Sequence, residues 1–155
     1  MQEANTNGLS GLLDAVLAQT SNIQAADSTI DSKANNLMAA ALVIVALLAT
    51  QLHDGDGSYK WLAVASMFVL IVVVGIVLFA TRNRTYRGAV VDLSKHQEYF
   101  AKDNTLLLAQ LIEDADAANA TNTITLEDKR KLFRQAILVF IVGFVLGIAA
   151  LFMKS

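Results

Sequence analysis

Apolar residues in this chain gather into three blocks separated by polar stretches. The clearest block is 61–80, WLAVASMFVLIVVVGIVLFA, which holds no charge. About twenty residues at 1.5 Å each match a hydrocarbon core of roughly 30 Å. Tyr59 and Trp61 stand at one end, where amphipathic rings favour the membrane interface, and Arg82, Arg84 and Arg87 follow the other. A second block, 136–153, is uncharged, entered through Lys129, Arg130, Lys131 and Arg134 and closed by Lys154, which can snorkel to the far surface. The third, 37–52, is short and rich in alanine. It reads as a span because the polar, turn-rich stretch 53–60 makes a hairpin between it and the next block.

The polar stretches carry their own pattern. Leu9, Leu13, Val16, Thr20, Ile23, Asp27, Ile30, Ala34 and Leu37 recur at alternating spacings of four and three, a heptad stripe interrupted by Thr20 and Asp27. This predicts a helix from about Ser10 running unbroken into the first span. The stripe is imperfect, which favours packing on a bundle over a separate coiled coil. In the long connection, 90–112 reads as a helix with Leu93, His96, Phe100, Leu107 and Leu111 roughly on one face. The Ala/Asp-rich stretch 113–123 reads as a turn. Thr125 is the expected N-cap of a last helix, with Glu127 and Asp128 in its first turn. The predicted fold class is an all-α membrane protein of three transmembrane helices, extended by a cytoplasmic helical bundle. Its parts are an N-terminal helix (1–36), spans at 37–52, 61–80 and 136–153, an external loop (53–60) and a cytoplasmic helical region (81–135).

Lysine and arginine in short loops set orientation. Both basic clusters flank the connection 81–135, whereas the opposite loop offers only Lys60. The connection and the N-terminus are therefore expected in the cytoplasm, in a cell inner membrane. The polar, acidic start does not resemble a signal peptide, so no cleavage is expected.

Composition adjusts this picture in a few places. Of 155 residues 55% are hydrophobic and 17% charged, with a net charge of -2, an unsuitable balance for a nucleic-acid binder. There is no proline to kink a helix. There is no cysteine, which removes disulfides, thiolate metal sites and cysteine nucleophiles. The two histidines, His53 and His96, fall on opposite sides of the expected membrane, so no metal constellation forms. No phosphate-binding loop, dinucleotide fingerprint or nucleophile elbow is present, and the expectation is a protein that is not an enzyme and needs no cofactor.

Three features carry candidate chemistry. Asp27 and Asp31 share a helix face at the mouth of the first span, with Lys33 pointing elsewhere. Charges at that depth are costly unless paired or hydrated, so the face is either a solvated helix end or a polar ligand or gating site. Arg82, Arg84, Arg87, Lys129, Arg130, Lys131 and Arg134 form a basic collar, suited to anionic headgroups or to a nucleotide phosphate held by arginine forks. Gly143 and Gly147 form a small-xxx-small pair that serves packing within the subunit or self-association.

Asp31-x-Lys33-Ala34 followed by Leu37-Met38 resembles the start of the Pycsar effector transmembrane (PycTM-like) family. The hairpin, the basic residues after the second span, the helical insertion and the final helix entered through Lys129-Arg130-Lys131-Leu132 agree with its layout. The resemblance implies a bacterial antiphage effector that answers a cyclic nucleotide messenger by impairing the membrane. Together with the three-span layout and the basic collar, this leads to the expectation of a homo-oligomer in the lipid bilayer. The resemblance carries Asp31 and Lys33 over as site residues, with Asn122 and Lys129 as looser candidates. The Ala/Asp-rich insertion departs from the pattern. Two other readings remain: a membrane anchor or scaffold that holds a soluble partner through the N-terminal helix, and a holin-like pore.

Overall fold

The computed structural model describes residues 2–53, 57, 59–82 and 104–154, without the side chains of residues 2–7, 53, 104 and 154. These residues form three helices and no strand: α1 (Gln2–His53), α2 (Tyr59–Thr81) and α3 (Asn104–Lys154). Each is long and apolar enough to cross a membrane.

Helix α3 differs from expectation. The turn predicted at 113–123 is helix, and Thr125 is no N-cap but an interior residue. Alanine is the best helix former, and no glycine or proline interrupts the stretch. The threonines in and just after this stretch fold their hydroxyls onto carbonyls one turn back. Thr121 donates to Ala117, Thr123 to Asn119 and Thr125 to Thr121, at 3.1, 2.8 and 3.1 Å. The expected helix start at 90–103 lies outside the described residues, as do Arg84 and Arg87.

All three helices bury positions spaced four and three apart. On α2 these are Tyr59, Ala63, Ser66, Leu70, Val73, Val77 and Ala80. On α1 the stripe read from the sequence is the inward face: Ile23, Ile30 and Ala34 are buried, and the other described members are half-buried. It continues to Ala41 and Leu48. On α3 the series is Ala115, Asn119, Asn122, Leu126, Lys129, then Ala136, Gly143, Gly147 and Ala150. A period of 3.5 is that of knobs-into-holes packing.

The helices contribute to two compact units, Met1–Ser28 with Arg84–Glu127 and Thr29–Asn83 with Asp128–Ser155. In the first, Thr20, where the apolar stripe is interrupted, meets Asn119 of α3. The Asn119 amide donates to the Val16 carbonyl at 3.0 Å, and the Thr20 hydroxyl lies 2.8 Å from Asn119 Oδ1 and 3.1 Å from the Val16 carbonyl. The one hydroxyl proton serves these two acceptors, and the buried amide is satisfied on both sides.

The second unit holds the three apolar blocks. Ala34, Ala41, Leu70, Val73, Val77 and Ala136 form one core cluster, and Leu48, Ala63 and Ala150 another. Hence α1 and α3 run the same way and α2 runs against them. Outward side chains are large and apolar: Phe68, Phe79, Leu138, Ile141, Val142 and Phe152 are all exposed. A soluble bundle turns polar residues outward; this surface suits lipid.

Small residues let the backbones approach. A Cβ on Gly143 would stand 3.0 Å from Leu70 Cγ and Cδ2, and one on Gly147 would stand 3.0 Å from Ser66 Oγ. The Ser66 hydroxyl donates to the Gly143 carbonyl at 2.6 Å, a buried link from α2 to α3. Both glycines therefore pack within this chain.

Leu70 is fully buried and has little room to yield. Gly143→Ala is expected to cost about 1–3 kcal/mol by overpacking, and Ser66→Ala only ~0.6 kcal/mol. Gly75→Ala, where a Cβ meets nothing within 4 Å, should be neutral or stabilise by up to ~1 kcal/mol. Thermal unfolding in detergent checks the order; an equal loss for Gly75→Ala and Gly143→Ala would contradict this account of the contact.

Candidate functional site

The run Asp128-Lys129-Arg130-Lys131 turns about 100° per residue on α3, so its members face different ways. Only Lys129 falls on the buried series, between Leu126 and Phe133, and it is 4% exposed. Arg130, Lys131 and Arg134 are exposed. The collar read from the sequence is therefore not one group, because Lys129 belongs to the interior.

Its ammonium lies 2.6 Å from Asp31 Oδ1 of α1, and the side chains are 6% and 37% exposed respectively. Asp31 sits one residue past the stripe position Ile30, at the flank of the seam, where it reaches Lys129 while keeping an open side. Asp31 Oδ1 is itself buried and has no hydrogen-bond partner beyond this ionic contact. The ammonium is thus its compensation. Ala34 and Ala136, at 1% and 0% exposure, lie one to two turns further along the same two helices and belong to the dry core cluster. A charge pair here ties α1 to α3 at the edge of an apolar interior, where separating the two partners costs free energy.

The other sequence candidates separate. Lys33, carried over beside Asp31, is exposed and takes no part in the pair. Asp27 is half-buried on the stripe and belongs to the first unit. Asn122 is 4% exposed in the first unit. Arg82 is exposed just past the end of α2. Lys131 lies 3.8 Å from Asp128, an exposed pair of little energetic weight. Among the described residues no group of His, Cys, Asp or Glu is placed to hold a metal ion.

Sequence reasoning did not find the Thr20–Asn119 link or the inward turn of Lys129. The signal is there. Counting back in sevens from Gly143 gives Ala136, Lys129, Asn122 and Ala115, and from Gly147 it gives Phe140, Phe133, Leu126 and Asn119. The assumed turn at 113–123 cut both series short.

Lys129→Met is expected to destabilise the second unit by ~2 kcal/mol, less than a fully enclosed pair because Asp31 keeps an open side. Adding Asp31→Leu should recover part of that loss, since the stranded carboxylate is gone. Melting curves of both variants in detergent test this, and no recovery in the double variant would show that the pair is not what Lys129 contributes.

Residues 15–154 match a family model described as the Pycsar effector protein domain. No curated protein and no solved structure matches the chain.

Proposed function

This chain belongs to the Pycsar effector protein domain family, and from that premise we propose a membrane effector of bacterial antiphage defence whose damage to the membrane is held off by the Asp31–Lys129 pair until a cyclic nucleotide arrives. The observation that carries this reading is the pair itself. An ion pair at the margin of a dry helix seam is stable only while both partners stay together, so it suits a two-state element. A ligand that binds the separated arrangement better shifts the population toward it, and a change from 1:99 to 99:1 needs a preference of about 10⁴-fold.

Several parts of the reading go together. The reading takes the N-terminus and the connection 81–135 to be cytoplasmic in an inner-membrane protein, where a soluble messenger is met, and the basic residues that flank that connection support it. Damage to the bilayer calls for several subunits acting as a homo-oligomer. Chemistry at a catalytic centre has no part in the proposal.

The test is growth and membrane potential in cells producing the protein, with and without a cyclase that makes cyclic pyrimidine nucleotides. Depolarisation is expected only with the cyclase. Asp31→Asn should depolarise without it, and the exchange Asp31→Lys with Lys129→Asp should restore silence. Depolarisation by the unaltered protein alone would replace this reading with a holin-like pore. Silence in both conditions, with a soluble protein captured through residues 1–36, would replace it with a scaffold.

A further inference from the structure

Four cations of the second unit have no part in its interior. Lys33 on α1, Arg82 just past α2, and Arg130 and Arg134 on α3 are all exposed. They belong to one end of the unit, because Ala34, Val77 and Ala136, their near neighbours along the chain, share one core cluster. Of the described carboxylates near that end, Asp31 meets the buried Lys129, Asp128 lies 3.8 Å from Lys131, and Glu127 is exposed one turn before Arg130. Four positive charges stand around three helices with no described acidic side chain in ion-pair distance.

Their surroundings indicate the ligand. Two of the four border a lipid-suited surface: Phe79 lies three residues before Arg82, and Leu138 four residues after Arg134, at 59% and 60% exposure. Arg130 and Arg134 are one turn apart on a shared face of α3, so two guanidinium forks stand in line. The four are spread over three separate helices, an arrangement that meets several phosphates in a plane better than one compact soluble anion.

We propose that Lys33, Arg82, Arg130 and Arg134 form a rim that binds the phosphates of anionic phospholipids and selects them over zwitterionic ones. Lys129 takes no part in it, since Asp31 holds it inside. This separates the rim from the gating pair, so one can fail without the other. Lipid selection at such a rim is worth about fivefold per cation and falls with salt.

The experiment uses the full chain purified in neutral detergent and supplied with short-chain phosphatidylglycerol, phosphatidylcholine or inorganic phosphate. Bound lipid is read by native mass spectrometry and stability by thermal melting. Phosphatidylglycerol should bind in preference and raise the melting temperature, with both effects shrinking as salt is raised. The variant Lys33→Gln/Arg82→Gln/Arg130→Gln/Arg134→Gln should lose the preference, by roughly six hundredfold if the four cations add independently. Lys60→Gln, at the opposite end of the unit, should keep it. Equal binding of the two lipids by the unaltered protein would overturn the proposal whatever the quadruple variant does. Stabilisation by inorganic phosphate without lipid preference would also overturn it, assigning the rim to a soluble anion.

Discussion

Lipid gives an apolar side chain the same environment that a protein core does, so the helices of the second unit gain little from burying leucine and valine against one another. What remains is fit. Ala34, Ala41, Ala63, Ala80, Ala136 and Ala150 stand on the buried faces, and Gly143 and Gly147 bring α3 against Leu70 and Ser66. The large side chains Phe68, Phe79 and Phe152 point outward, where lipid takes them at no cost. The requirement of close approach thus decides which residues lie inside, and the 3.5-residue period keeps that face turned inward through the length of each helix.

Such a seam makes any polar residue on it consequential. Ser66 is satisfied by the Gly143 carbonyl, Asn119 by Val16 and Thr20, and Asp31 by Lys129. These contacts differ in what their loss would do. A serine hydroxyl can turn back to its own helix, whereas a buried ammonium and a carboxylate lose a charge-assisted contact when they part. Of the polar contacts described on the seam, the charge pair is the one that joins two opposite charges, which is why the functional reading centres on it.

Sorting of the basic residues follows from the same rotation of α3. One residue in the run after Asp128 is turned to the seam, and its neighbours are turned to the surface. A single stretch of sequence therefore supplies both an interior charge that joins two helices and exposed charges on the outer faces of α3. The two roles differ in salt response, because exposed charges are screened and an enclosed pair is screened much less.

Much of this was legible in the sequence. Three uncharged or nearly uncharged blocks require membrane-spanning helices, because no other use of the backbone satisfies its hydrogen bonds in lipid at that length. The stripe from Leu9 to Leu37 is the inward face of α1, since spacing along a helix fixes which residues share a side. Asp31, Lys33, Ala34 and Leu37 pointed to the family that the match over 15–154 establishes. The course of α3 was misread, because alanine, aspartate and threonine together suggest a turn while their local preferences, taken singly, permit a helix. Only the tertiary structure decided that Lys129 rather than Lys33 faces Asp31 and that Thr20 has a partner in Asn119. A residue's own helix settles its direction, but its partner lies about a hundred positions away, at a distance set by how three helices fit together.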